Sequence, residues 1–172
     1  MSLREIVLYP DPVLRQPARE VERFDAELER LVEDLAETMY AAPGVGLAAP
    51  QVGVDLRVAV VDVGAAGGRR ELHVLVNPRL VESEGRQSEE EGCLSIPGLS
   101  ERVDRPARVV VEARDARGEK LRLAAEGFLA RAVCHELDHL EGVLFFERLT
   151  GLRKELAMRR LRKLPFLQQA TA

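Results

Sequence analysis

The chain is poor in the residues that most often hold transition metals. Its 172 residues include three histidines (His73, His135 and His139) and two cysteines (Cys93 and Cys134). So few cysteines argue against a disulfide framework and suit a reducing compartment. No run is long and apolar enough to cross a bilayer. The opening Met1-Ser2-Leu3-Arg4-Glu5 passes into Ile6-Val7-Leu8-Tyr9 without the long apolar core of a secretion signal or the acid-poor length of a transit peptide. Cytoplasmic residence is therefore expected. Positive charge is not in excess: 25 Lys and Arg stand against 29 Asp and Glu, a net charge of -4, so the whole-chain balance does not indicate broad adhesion to nucleic acid or membranes. Linkers and internal repeats are also missing. What remains is the composition of a globular protein, 46% hydrophobic and 31% charged, with a length that suits one domain over residues 1–172.

Two of the three histidines fall in the run Cys134-His135-Glu136-Leu137-Asp138-His139. Four residues make nearly one helical turn, so both rings can bind one ion. Glu136 then projects nearby and can handle protons on a metal-activated water without being a ligand. This is the HExxH arrangement of metal-dependent hydrolases. The competing reading is an accidental sharing of a solvated helix face, which the scarcity of histidine weakens.

An open catalytic site needs a third donor, and two candidates present themselves. Glu155 lies downstream but among Arg153, Lys154, Arg159 and Arg160, where a helical ion pair explains it. Cys93 lies upstream in Glu91-Gly92-Cys93-Leu94-Ser95; its thiolate would be a strong donor, whereas an isolated cysteine is more often a small buried residue. Gly44-Val45-Gly46-Leu47-Ala48-Ala49-Pro50-Gln51 adds a loop that lets backbone approach a ligand closely. Beside the other two segments, it looks like one wall of a substrate cleft.

These three segments, G-x-G-x-A-A-x-Q, E-G-C-x-S and H-E-x-D-H, occur in the order found in the peptide deformylases. The chain resembles that family from Pro10-Asp11-Pro12 to Leu140-Glu141-Gly142. The resemblance implies metal-dependent removal of the formyl group from the initiator methionine of nascent polypeptides, with release of formate. It implies Cys93, His135 and His139 as metal ligands and Glu136 as general base and acid. The Gln51 amide and the Leu94 backbone N–H would stabilise the oxyanion, and backbone groups of Val45, Gly46 and Gly92 would hold the peptide. Phe128, Ala132 and His135, with Val45, would line the methionine pocket, simple core packing being the alternative for Phe128 and Ala132. Fe(II) is the favoured ion, with zinc or other divalent metals as alternatives. The rival functions are an HExxH zinc endopeptidase using Glu155 and a noncatalytic peptide-binding module.

Glu91 and Asp138 are the carboxylates placed to orient the ligands, with Arg105 a charge partner for one of them. Cys134 departs from the glutamine that many family members carry, and Arg131 is a long cation where an apolar pocket is expected. The pattern predicts an α+β domain of largely antiparallel strands around the histidine helix. Asp25 caps a helix with an apolar stripe of Leu28, Leu31, Val32, Leu35 and Met39. Strands are expected at Leu56 to Val63, Leu72 to Val76, Arg108 to Ala113 and Lys120 to Ala124, and the histidine helix from near Gly127 to Gly142. A basic C-terminal helix near 151–164 carries Arg153, Lys154, Arg159, Arg160, Arg162 and Lys163. It is read as a solvated surface or, through the family resemblance, as a contact for ribosomal RNA.

Overall fold

A computed structural model of the chain describes residues 2–170. Helix α1 spans Ala26–Ala41, as its apolar stripe predicts. The Asp25 carboxylate accepts from the Leu28 N–H at 3.1 Å, and Glu27 and Glu29 place negative charge at the positive end of the helix dipole. Its buried face (Leu28, Leu31, Val32, Leu35 and Met39) packs on Leu47, Val58 and Val60. Each such side chain contributes roughly 1.5–3 kcal/mol on burial.

Seven strands follow: β1 (Gly46–Ala48), β2 (Val58–Val61), β3 (His73–Glu84), β4 (Gln87–Gly92), β5 (Ser100–Arg105), β6 (Arg108–Arg114) and β7 (Lys120–Glu126). Five form an antiparallel sheet in the order β1-β2-β3-β6-β7, and β4 and β5 form a separate hairpin. The α+β class with antiparallel strands is thus the one expected. The boundaries differ in an instructive way. Strand β3 continues well beyond Val76, because Asn77 takes a left-handed conformation (φ 51) and its side-chain amide pairs with both the N–H and the carbonyl of Val21. Beyond this irregularity the strand is mostly polar and mostly exposed, so periodicity gives no sign of it. The β4–β5 hairpin was likewise missed: its sequences QSEEEG and SERVDR bury only Glu91, Val103 and Arg105.

Helix α2 (Gly127–Leu140) carries both site histidines and lies against β1, β2 and β7. Ala130, Ala132 and Val133 join Val61, Leu75, Val109 and Val111 in one buried cluster. The helix ends where expected. Gly142 has φ 75, and a β-carbon there would lie 2.6 Å from the Gln16 nitrogen, so glycine is needed both for the turn and for the approach of the N-terminal segment. A second cluster, including Leu14, Ile96, Val103, Phe145, Phe146 and Leu161, joins the hairpin to α3 (Gly151–Arg162). A short helix α4 (Pro165–Ala170) follows. No described helix is long and apolar enough to cross a membrane.

Candidate metal centre

The residue just past β4 and the C-terminal half of α2 bring three donors together. Cys93 Sγ lies 3.3 Å from His139 Nε2, and the two histidine Nε2 atoms lie 3.2 Å apart. One ligand atom from each of Cys93, His135 and His139 falls within 4.8 Å of the others. Around a tetrahedral ion with ordinary metal–nitrogen and metal–sulfur distances, donor atoms would be separated by about 3.3–3.6 Å. The residues therefore fit a metal. The hydrogen bonding agrees: His135 Nδ1 lies 2.9 Å from Glu91 Oε1, and because a carboxylate only accepts, Nδ1 carries a proton and Nε2 is the nitrogen left to face the other donors. His139 Nδ1 is buried without a partner among the described residues.

Behind the donors lies a buried ionic chain. Arg105 donates from Nε and Nη2 to both oxygens of Glu91 at 2.8 Å, and from Nη1 to Asp138 at 2.7 Å. Arg105 thus bridges both carboxylates rather than one. Arg148 donates to both oxygens of Asp138 as well, at 2.6 and 3.0 Å. Burial is the largest influence on Glu91 and would push its carboxyl up, but Arg105 and His135 outweigh it and hold the group at about 2. Glu91 thus remains an anion that fixes the His135 ring.

Glu136 is 3% exposed and is not one of the three clustered donors. Burial, against the opposing influence of His135, pushes its carboxyl up to about 7, a range suited to taking and returning a proton near neutrality. Its Oε1 has no partner among the described residues. Its other oxygen lies against Gly46: a β-carbon at 46 would stand 2.6 Å from Glu136 Oε2. The second glycine of the loop is thereby explained by the carboxylate it accommodates.

Gln51 is buried, and its Oε1 accepts from the Ala48 N–H at 3.0 Å. This leaves Nε2 directed to Ser95 Oγ at 3.2 Å and towards Cys93 Sγ at 3.7 Å. Leu94 follows Cys93 directly, in a turn closed by Ile96 N–H on the Cys93 carbonyl. Val45, Gly46, Gly92, Phe128, Ala132 and His135 line one cavity of about 450 Å³ that reaches these groups. Phe128 is 46% exposed, so it is cavity wall rather than core. A larger groove of about 820 Å³, on a different side of α2, includes none of the three donors.

Glu155 is exposed on α3 and lies outside the donor cluster. Cys134 is buried, and burial pushes its thiol up to about 11, which makes it a small apolar filler. Two contributors escaped the sequence reading. Ser95 belongs to the E-G-C-x-S segment and could have been found there, whereas Arg148 sits in no motif and meets Asp138 only through the fold.

A family model described as polypeptide deformylase matches residues 3–155. The chain is 49% identical to a peptide deformylase of Acidobacterium capsulatum over 95% of this chain and 96% of that protein. It is 52% identical to one of Acidothermus cellulolyticus over 95% and 88%. The fold superimposes on the crystal structure of peptide deformylase from Thermus thermophilus with a TM-score of 0.90 at 43% identity, covering 98% of this chain and 99% of that one. For a Legionella pneumophila peptide deformylase the TM-score is 0.88 at 45% identity, with 98% of both chains covered. With the family model matched over most of its length and relatives near half identical along almost the whole chain, the chain belongs to the polypeptide deformylase family.

Proposed function

We propose that the protein is a metal-dependent hydrolase that removes the formyl group from the amino-terminal methionine of nascent polypeptides and releases formate. The observation that carries this reading is the convergence of Cys93, His135 and His139 beside a buried carboxylate that is not a ligand. Those three side chains would hold a divalent transition metal, which when bound polarises the formyl carbonyl and acidifies water. Glu136 takes a proton from the attacking water and delivers it to the departing amine, which would otherwise leave as an unfavourable anion. The Gln51 amide, held by Ala48, and the Leu94 N–H donate to the oxygen on which negative charge develops. Backbone groups of Val45, Gly46 and Gly92 hold the extended peptide, and its methionine side chain enters the cavity beside Phe128 and Ala132.

Fe(II) is the proposed ion, a thiolate with two imidazoles being acceptable to iron and zinc alike. A thiolate ligand needs a reduced thiol, which supports a cytoplasmic location. An anaerobic assay of metal content and formate release tests the assignment. Cys93→Ala should lose the stoichiometric metal and nearly all formate release from formyl-methionyl peptides. Full metal retention in that variant would remove Cys93 from the ligand set, and no formate from the loaded parent would overturn the function.

Helix α3 is the proposed contact with ribosomal RNA. Arg160 is engaged with Glu101 at 2.6 Å and Arg153 with the Arg102 carbonyl, but Lys154, Arg159 and Arg162 are exposed. Ala157 and Leu161 are buried in the core, so deleting the helix would damage the fold as well as remove charge. Changing Lys154, Arg159 and Arg162 together to glutamine should instead weaken ribosome cosedimentation at low salt, with the difference fading as salt rises. Unchanged, salt-independent sedimentation would dismiss the contact.

A further inference from the structure

The cavity has one cationic side chain among its described lining residues, Arg131. Its guanidinium carbon sits 4.7 Å from the centre of the Phe128 ring, and Nη1 donates to the Glu90 carbonyl at 3.3 Å. Nε is buried without a partner, and no ion pair among the described residues includes Arg131. The carboxylates of the cavity do not satisfy it. Glu91 is taken by Arg105 and His135, Glu136 lies against Gly46, and the exposed Glu90 offers Arg131 only its main chain.

Position follows from helical geometry. Phe128, Arg131, Ala132 and His135 share one face of α2, and Arg131 stands four residues, about 6 Å, along the axis from the donor His135. Among the described residues β4 pairs with no strand but β5, so beside Gly92 its other edge is open to an extended peptide. In an extended chain, alternate side chains point the same way, and the third residue lies nearly 7 Å beyond the first. With the formyl group at the donors and the methionine in the cavity, the third side chain returns to the face that carries Arg131.

Building on the deformylase reading, we propose that Arg131 is a specificity-determining residue that favours formyl-methionyl peptides with an acidic third residue. An aspartate or glutamate there supplies the carboxylate that the guanidinium lacks; a lysine meets like charge. The second side chain points away and is read weakly.

The test compares kcat/KM for formyl-Met-Ala-Asp and formyl-Met-Ala-Lys amides, with formyl-Met-Asp-Ala and formyl-Met-Lys-Ala amides as the position control. For the parent, the first ratio should be about three- to fivefold at low ionic strength and shrink towards one in roughly 0.5 M salt; the control ratio should be smaller. Arg131→Met should abolish the preference and Arg131→Glu invert it. Each ratio is internal to one variant, so a loss of metal or stability cannot imitate the result, and the salt series needs no variant. A parent ratio near one, a control ratio as large as the first, or a ratio unchanged in Arg131→Met overturns the role of Arg131. Absence of formate from every peptide overturns the hydrolase reading instead.

Discussion

Replacing Glu136 by glutamine should lower kcat for formate release by roughly 10²- to 10⁴-fold, the usual worth of a positioned proton-transfer group, while the metal stays bound. The expectation rests on separating two roles within one helical turn. His135 and His139 point ring nitrogens at Cys93, whereas Glu136 lies outside that cluster with one oxygen unpartnered among the described residues. Glutamine keeps the shape but loses the charge and, with it, the ability to accept and return a proton. Because a buried carboxylate with an unmatched oxygen is costly, the variant should melt no lower than the parent. A stability gain accompanying lost turnover is the signature of a site built for chemistry rather than folding. Metal content, melting temperature and kcat measured on the same preparation decide the matter. Turnover within twofold of the parent would exclude Glu136 as the proton carrier, and loss of metal would recast it as part of the coordination sphere.

Arg105→Met should be the most destabilising single substitution in the ionic chain, at about 3–5 kcal/mol. Arg105 is 5% exposed, and its guanidinium supplies three hydrogen bonds to Glu91 and Asp138. Its removal leaves two buried carboxylates without their shared cation, and Arg148 can compensate only Asp138. Glu91 would then rise from about 2 towards protonation and release its hold on His135 Nδ1, so chelators should strip metal faster as well. Denaturant unfolding of the metal-free variant isolates the first effect and chelator competition the second. Adding Glu91→Gln should recover part of the lost stability. Strict additivity of the two substitutions would show that the pair is not coupled.

Sequence and structure agree best where one residue type does one job. The Asp25 cap, the apolar stripe of α1 and the paired histidines of α2 are local patterns, readable from spacing alone. The G-x-G-x-A-A-x-Q loop was readable as a close approach of backbone, but not as the pocket into which the Glu136 carboxylate fits, since residues 46 and 136 meet only in three dimensions. Arg105 was legible as a partner for one carboxylate; that it serves two depends on β5 lying beside α2. The β4–β5 hairpin left no hydrophobic trace because its inward face is largely ionic, with Glu91 and Arg105 occupying positions that Val or Ile would normally mark. Arg131 raised a conflict with an apolar pocket. The fold resolves it by laying the cation across Phe128 and the Glu90 carbonyl, leaving it available to a ligand.

The donors also come from separate parts of the architecture. Two sit on a helix embedded against the main sheet, and the third stands at the end of a ribbon with few greasy anchors of its own. An ion shared between them acts as a rivet, and its binding free energy adds to the ribbon's resistance to opening by simple mass action. Stripping the ion should therefore speed amide hydrogen exchange in β4 and β5 well before the helix or the five-stranded sheet responds, making the ribbon a local gauge of whether the enzyme is loaded.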